Sequence, residues 1–505
     1  MTAVPEMPID VKAFATSITA LLQWAQESAG RPAGVQGMVD LLTAHLGTER
    51  AALSVVSQSL PGYEQVNLQT ALNAWIAESG RRVTVHGVSV PPHWSGLTLQ
   101  QVLGGEGLPP IRLSAPQLVD LPSGPRGKTL GCMQIGILLV EDDRGPYVMM
   151  VRGPEQHQDP NLAVEIVGLE VAKAQEVHAE LARLRSALNV YRGHVLELVP
   201  DQTEGITIAF VELPVTERAD VVLPETVLRQ IERHTVDIAS FRDELRAAGQ
   251  HLKRGLLLFG PPGTGKTHTT RYIVGRMTGY TVLLLSGRSL HLIGAVNELA
   301  RELQPAVVVL EDVDLVAEDR GFGPGSSPVL FELLDAMDGA ASDADLVFLL
   351  TTNRADLLEP ALAVRPGRVD VAVEILLPDA AARRRLLELY GRNVPLDWAE
   401  ADIENAVQRT EGTTASFIKE LHRRAVLEAL QEHSPLHQVT AAHMRRALDD
   451  LLHSSAHITR ALLGAGQSEG HFSGRAAGGH GGMESRADRG SPVDGRLVDP
   501  VPVLG

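Results

Sequence analysis

Leu256-Leu-Leu-Phe-Gly260-Pro-Pro-Gly-Thr-Gly-Lys-Thr267 is the stretch of sequence that decides the fold of this chain. Its first four residues are typical of a buried strand, and the next eight fit the pattern G-x-x-x-x-G-K-[ST]. Glycines are needed there because the backbone must curl tightly and turn its N–H groups toward phosphate oxygens. The sequence therefore predicts a phosphate-binding loop with its flanking histidine, made of Gly260, Pro261, Pro262, Gly263, Thr264, Gly265, Lys266, Thr267 and His268.

Two side chains and a helix complete this predicted phosphate site. Lys266 supplies a positive charge for the β- and γ-phosphates, and the hydroxyl of Thr267 is the expected ligand of Mg²⁺. A helix is predicted over Lys266–Arg276, and its positive end points toward the same phosphates. The predicted ligands are thus a nucleoside triphosphate and Mg²⁺.

A second strand ends in acidic residues. Val307–Leu310 is apolar and runs directly into Glu311-Asp312-Val313-Asp314. In a doubly wound sheet, ligands bind at the carboxyl ends of the strands, beside the phosphate-binding loop. One acid can hold the metal through water, and the other can orient and polarise the attacking water. A solvated strand end would show the same acids, but the loop upstream favours a catalytic pair, Glu311 and Asp312.

Apolar runs that alternate with helical stretches indicate the fold class. Such unbroken runs are typical of parallel strands buried on both faces, so we predict an α/β fold. The runs are Leu256–Phe259, Thr281–Leu285, Ala306–Leu310 and Leu346–Leu350. Residues 380–455 show no strand pattern, and helices are predicted at Arg384–Leu389, Ser416–Leu430 and Thr440–Leu452.

Composition limits the classes of partner. The net charge is −17 and no basic stripe is evident, so a nucleic-acid partner is not expected. The single cysteine, Cys132, is interpreted as a small buried residue in a reducing, cytoplasmic protein. No apolar run approaches the roughly 20 residues that a membrane-spanning helix needs, and we expect no membrane span.

The chain divides into five predicted segments. An accessory α+β domain is predicted for 1–190, with a helix after Asp10, a strand at Arg82–Val90, a hairpin around Glu141–Gly145 and a helix over 166–190. The others are a linker with one strand (191–225), a nucleotide-binding subdomain (226–379), a helical lid (380–460) and a disordered tail rich in Gly, Ser, Arg and Pro (461–505).

Further motifs give a family resemblance. Residues from about 223 to 455 resemble the module of AAA+ ATPases, which has a parallel five-stranded sheet with flanking helices and a small helical lid. Leu349–Arg354 resembles the sensor-1 strand, which implies that Asn353 touches the γ-phosphate or the attacking water. Leu333–Gly339 resembles the helix after the Walker B strand. Arg365–Asp370 resembles the arginine-finger segment, so Arg365 and Arg368 are expected to reach the γ-phosphate of a neighbouring subunit.

Two details place the chain within that family. The order Glu311-Asp312 reverses the usual Asp-Glu order of the Walker B acids and resembles the branch of the mitochondrial Rieske-protein translocase. The resemblance implies that Glu311 holds Mg²⁺, partly through water, and that Asp312 is the base. Thr410–Leu421 resembles the start of a lid helix, where Ala415 and Ser416 replace a sensor-2 arginine, as in protein unfoldases and remodelling ATPases.

The resemblance implies an ATP hydrolase that forms a homo-oligomeric ring, expected to be a hexamer, and remodels a protein partner recruited by residues 1–190. One motif points elsewhere: His291-Leu-Ile-Gly294 lacks the aromatic residue with which threading motors grip polypeptide. An ATP-gated scaffold with slow hydrolysis is therefore the alternative, and a DNA-acting ATPase is a third class. No H-E-x-x-H segment of a zinc protease occurs.

Overall fold

The computed structural model describes Ser17 and residues 33–91, 96–104, 111–155, 159–200, 206–314, 344–354 and 369–453, all within one compact unit, Met1–Gly466. Several predicted features lie outside the described residues: the helix after Asp10, the Leu333–Gly339 helix, Arg365, Arg368 and the tail 461–505.

The phosphate-binding loop belongs to a seven-stranded sheet. Its strands are β8 (Val195–Pro200), β9 (Ile206–Phe210), β10 (Arg254–Phe259), β11 (Thr281–Ser286), β12 (Ala306–Glu311), β13 (Leu346–Thr352) and β14 (Val371–Glu374), which lie in the order β14-β10-β13-β12-β11-β8-β9. The five strands from β14 to β11 are parallel, as the sequence predicts.

The segment 191–225 contributes more to this sheet than a linker would. β8 pairs in parallel with β11, and β9 returns antiparallel to β8 at the edge. β9 matches the one strand predicted here, whereas β8 was not predicted. Leu196 and Leu198 of β8 are buried in the sheet core, which stabilises the extra pair.

Burial on both faces explains the unbroken apolar strands. On one face, Leu257, Val308 and Phe348 pack with helix α10 (Ile293–Glu302). On the other, Leu256 and Val307 pack with α6 (Glu225–His234) and α9 (Lys266–Arg276). Two short helices, α7 (Val236–Ser240) and α8 (Arg242–Ala247), follow α6.

The N-terminal region forms a second sheet, which is antiparallel. Its strands are β1 (Val56–Pro61), β2 (Arg82–Ser89), β3 (Arg112–Ser114), β4 (Gln117–Pro122), β5 (Thr129–Asp142), β6 (Gly145–Arg152) and β7 (Asn161–Val167). They lie in the order β1-β7-β6-β5-β2-β3, with β4 paired to β5. The predicted hairpin is present as β5 and β6.

Helices cover both faces of this antiparallel sheet. Side chains that alternate along β5 separate the two cores: Leu138 faces one and Ile137 the other. The first core takes α3 (Gln65–Ala77) and α5 (Val171–Ala187); the second takes α1 (Ala33–Leu46) and α4 (Leu99–Gly104), while α2 (Thr48–Ala51) follows α1. Cys132 is buried, and burial raises the pKa of its thiol to about 11, as suits a packing residue.

The lid is helical, with one small difference from the prediction. Its helices are α11 (Ala380–Gly391), α12 (Glu400–Arg409), α13 (Ala415–Glu432) and α14 (Ala441–His453). The prediction of no strand in 380–455 is wrong at one place, because Leu396–Asp397 pairs in parallel with Val439–Thr440. Among the described helices, none is long and apolar enough to cross a membrane.

Candidate nucleotide site

The loop from Gly260 to Lys266 joins β10 to α9 and requires its glycines. Gly260, Gly263 and Gly265 have φ values of 142°, 77° and 105°, where side chains are strained. A Cβ on Gly260 would lie 2.3 Å from the carbonyl oxygen of Ile375 on the strand side of the loop. The local conformation therefore follows from the residue types of the motif.

Lys266 lies at the centre of this loop. Its Nζ donates hydrogen bonds to the carbonyl oxygens of Gly260 and Pro261, at 2.8 and 2.9 Å, and to Oδ1 of Asn353 at 2.8 Å. Burial lowers the pKa of Lys266, while the nearby Asp312 and Asp314 act in the opposite direction. The cation is thus held between the loop and the ends of the neighbouring strands.

Asn353 and Asp312 meet because β13 and β12 are parallel neighbours whose carboxyl ends share one edge. Nδ2 of Asn353 donates to Oδ1 of Asp312 at 3.3 Å, so the amide bridges Lys266 and Asp312. The backbone N–H of Asp312 donates to Oγ1 of Thr351 at 3.0 Å. Asp312 has a φ of 52°, in the left-handed region that residues other than glycine seldom adopt.

Glu311 lies beside Thr267. The Thr267 hydroxyl is close enough to the Glu311 carboxylate to favour its charged form. Burial raises the pKa of Glu311; Arg271 and Thr267 lower it, and Asp312 raises it further. A hydroxyl and a carboxylate side by side are oxygen ligands of the kind that Mg²⁺ takes together with water and phosphate oxygens. These two residues therefore fit the metal expected at this loop.

Asp314 is a residue of this site that the sequence analysis did not single out. It is buried, and its Oδ1 accepts hydrogen bonds from Oγ1 of Thr352 at 2.9 Å and from the backbone N–H of Asn353 at 3.1 Å. In the sequence Asp314 is the third acid after an apolar strand, and no pattern distinguishes it there from a solvated residue. These two hydrogen bonds hold the C-terminal end of β13 and the backbone of Asn353, which follows it.

The lid also touches the loop. The backbone N–H of Ser416 donates to the Gly263 carbonyl at 3.1 Å. A Cβ on Gly263 would lie 3.1 Å from the hydroxyls of Thr414 and Ser416, so glycine permits this close approach. Ser416, which replaces a sensor-2 arginine in the resemblance, therefore meets the loop through its backbone.

A further connection to the lid runs through Asp220, a residue that was not predicted from the sequence. The carbonyl of Asp220 lies 3.2 Å from Nε2 of His268, and its Oδ1 accepts a 2.7 Å hydrogen bond from Arg392 of the lid. Asp220 thus links the helix after the phosphate-binding loop to the lid.

The structure brings most predicted site residues to one edge of the sheet. The loop Gly260–His268, Glu311, Asp312 and Asn353 lie together, whereas Arg365 and Arg368 lie outside the described residues. The predicted pore segment, His291–Gly294, spans the end of a 3-10 helix and the start of α10.

A strand, glycine-rich loop and helix at the edge of a parallel sheet define the class of P-loop nucleotide-binding proteins. Within this class, the family model described as "ATPase family associated with various cellular activities (AAA)" matches residues 256–377. The chain contains an AAA ATPase domain, and its α/β fold is the P-loop AAA fold. The predicted resemblance to AAA ATPases is thereby confirmed, while the branch suggested by Glu311-Asp312 stays a prediction.

Curated relatives share this part of the chain. The ATP-dependent zinc metalloprotease FtsH of Nitrosococcus oceani is 35% identical over 222 residues, which cover 41% of this chain and 34% of that protein. The protein named ATP-dependent zinc metalloprotease FtsH 1 of Sphaerobacter thermophilus is 32% identical over 230 residues, which cover 43% of this chain and 35% of the relative. The chain thus spans about a third of the length of these relatives.

Among solved structures, the crystal structure of the FIGL-1 AAA domain is similar, with 24% identity and a TM-score of 0.40. The match covers 46% of this chain and 81% of that one.

Proposed function

We propose that this chain is a cytoplasmic, Mg²⁺-dependent ATP hydrolase that assembles into a homo-oligomeric ring, a hexamer, and couples hydrolysis to remodelling of a protein partner. The observation that carries the proposal is the chain of contacts from Lys266 through Asn353 to Asp312, beside the Glu311–Thr267 pair. Phosphoryl transfer needs a cation on the phosphates, a metal site and a group that orients water, and these contacts supply all three.

Each side chain then has one role. Lys266 binds the β- and γ-phosphates, and Thr267 and Glu311 would hold Mg²⁺, which neutralises phosphate charge when bound. Asn353 positions the attacking water beside Asp312, which accepts its proton. The left-handed backbone at Asp312 sets the direction of its side chain, which is one methylene shorter than the glutamate usual at this position. Backbone conformation, in this proposal, compensates for the reversed order of the acids.

The site is completed by a neighbouring subunit in this proposal. Arg365 and Arg368 would reach the γ-phosphate bound by the adjacent subunit, where a planar cation stabilises charge that develops during transfer. The supporting observations are the AAA domain itself and the resemblance of Arg365–Asp370 to the arginine-finger segment. ATP turnover would then depend on assembly.

Contacts on both sides of the AAA domain support coupling to a partner. On one side the loop is joined to the lid through Gly263 and Ser416. On the other, Arg192 donates to the carbonyl oxygens of Glu302 and Gln304, at 2.7 and 3.1 Å, at the end of α10. We infer that residues 1–190 recruit the partner and that 226–379 and 380–460 move relative to each other during the ATP cycle.

One observation favours the ATP-gated scaffold as a second candidate. In the pore segment, Ile293 is fully buried and Leu292 is half-buried, so neither presents an apolar surface for gripping polypeptide. A ring built this way binds ATP, assembles and hydrolyses slowly. It would act as an ATP-gated scaffold that unfolds no partner protein.

A subunit-mixing experiment tests the proposal. Lys266→Ala subunits keep their arginine fingers but bind no ATP, whereas Arg368→Ala subunits bind ATP without a finger for their neighbour. Each variant alone is expected to be inactive, and the mixture is expected to regain ATP hydrolysis because each supplies what the other lacks. A mixture that stays inactive while both variants form rings with wild-type protein would refute a shared site. A mixture with very slow turnover that no partner protein stimulates would support the scaffold.

A further inference from the structure

A cleft of about 490 Å³ lies between the antiparallel N-terminal sheet and the last strand of the AAA sheet. We propose that it binds an extended, uncharged polypeptide segment, which pairs with the edge of β9 that β8 leaves unpaired. This inference rests on the proposed function, because it names the kind of partner segment that residues 1–190 would recruit. The edge strand of the AAA sheet, β9, would take part in that recruitment.

The edge of β9 presents backbone groups that the sheet does not use. The N–H of Val211 donates to the Val195 carbonyl, so hydrogen-bonded pairs with β8 fall at every second residue, at Thr207 and Ala209. The N–H and C=O groups of Ile206, Ile208 and Phe210 therefore point away from β8. Within the described part of the chain, no hydrogen bond reaches them.

β4 supplies a second strand edge to the same cleft. In the described structure it pairs only with β5, and Gln117–Pro122 lies along the cleft wall. Leu118 and Val119 are 58% and 38% exposed there, a large apolar surface for two neighbouring residues. Exposed strand edges beside apolar side chains are the surface to which an extended peptide adds as a further strand.

The chemistry of the lining selects an uncharged segment. Among the described lining residues Glu155 is the one charged side chain; its carboxylate accepts hydrogen bonds from the Gly96 N–H and lies 3.6 Å from Arg152. The other polar side chains are neutral: Tyr63, Gln65, Gln117, Gln134, Tyr191 and Thr207. Burial raises the pKa of Tyr63 to about 12, so its hydroxyl stays neutral. A charged side chain entering this cleft would lose water without gaining a free counter-ion.

The length of the edge limits the length of the segment. The five residues of β9 extend about 17 Å at the usual rise of a strand, and Ile206, Thr207 and Ile208 among them line the cleft, so a partner segment of up to about five residues can pair with this strand.

Hydrogen exchange at residue resolution tests the proposal on the full chain. The probe is a short fluorescein-labelled peptide in which valine and threonine alternate. We expect it to protect the amides of Ile206, Ile208 and Phe210, while Thr207 and Ala209, already bonded to β8, change little. Binding without protection at the first three amides would overturn the proposed strand pairing.

Two binding controls use fluorescence anisotropy. Leu118→Lys places a charge in the cleft and is expected to weaken peptide binding about tenfold. Leu113→Lys makes the same change on β3, where Leu113 is 38% exposed and outside the cleft, and should leave binding within about twofold. A peptide that is N-methylated at alternate residues has no N–H donors along one edge. It should therefore bind more weakly than the unmethylated peptide. Equal binding to Leu118→Lys and wild type would refute the site.

ATP turnover of the wild type, measured on the same preparation, separates this proposal from the proposed function. Hydrolysis without peptide binding would refute the cleft alone. Peptide binding without hydrolysis would refute the motor and leave the cleft standing.

Discussion

Replacing Asp314 with alanine tests whether the site depends on the carboxylate that fixes Asn353. Asp314 is 7% exposed and accepts hydrogen bonds from Thr352 and from the Asn353 N–H, at 2.9 and 3.1 Å. A hydrogen bond to a charged group contributes about 1.5–3 kcal/mol, so Asp314→Ala should cost at least about 3 kcal/mol in local stability. If at least half of that free energy is also lost from the stabilisation of the transition state, kcat falls about tenfold to a hundredfold.

Asp314→Asn separates position from charge. The asparagine keeps one oxygen in the place of Oδ1, so both hydrogen bonds can persist, and kcat should stay within about threefold of the wild type. Steady-state ATP hydrolysis gives kcat and KM, and a fluorescent ATP analogue checks that each variant still binds nucleotide. We expect KM to change little in both variants. A kcat for Asp314→Ala equal to the wild type, or one for Asp314→Asn as low as for the alanine variant, would refute the positioning role.

Three further predictions concern the loop, the bridge and a buried acid. Gly260→Ala places a Cβ 2.3 Å from a backbone oxygen and should abolish binding of a fluorescent ATP analogue, whereas Gly275→Ala meets nothing within 4 Å and should stabilise α9 by about 0.5–1 kcal/mol in thermal unfolding. Asn353→Ala removes the amide that bridges Lys266 and Asp312 and should lower kcat about a hundredfold with nucleotide binding retained; a smaller loss in kcat than in binding would contradict this. Burial raises the pKa of Glu64 to about 7, so the folded state binds the extra proton, and stability should fall by about 3 kcal/mol as pH rises from 4.5 through 7. Glu64→Gln should flatten that part of the curve of unfolding free energy against pH, and an unchanged curve would show that Glu64 is not responsible.

The phosphate-binding loop was predictable because its geometry is local. Glycines with positive φ occur where the motif has them, the strand before the loop follows from its apolar run, and the helix after the loop follows from the motif itself. The parallel strands were predictable for a related reason. Burial on both faces makes each of them apolar throughout, a pattern that few other elements show.

Features that depend on distant partners were harder to predict. β8 has alternating burial over only six residues and is stabilised by β11, which lies more than eighty residues along the chain. Helix α3 was missed because polar residues lie on its buried side. Its Gln65 donates to the Met133 carbonyl, and Asn67 accepts from the N–H of Val190, so these side chains are satisfied by residues far along the chain.

The candidate site shows the same contrast between local features, which are predictable, and contacts between distant residues, which are not. The sequence pattern indicates which residues carry the chemistry, but the hydrogen bond between Asn353 and Asp312 depends on how β12 and β13 align. The role of Asp314 could not be weighed from the sequence, because a third acid after a strand is often solvated. The structure buries it and supplies two donors.

ATP hydrolysis measured against protein concentration, for the wild type and Asp312→Asn, tests the central claim most directly. We predict that the specific activity of the wild type rises with concentration as subunits assemble, and that Asp312→Asn binds ATP but does not turn it over. An Asp312→Asn variant that hydrolyses ATP at the wild-type rate, or a wild-type activity per subunit that is independent of concentration down to the monomer, would contradict the account.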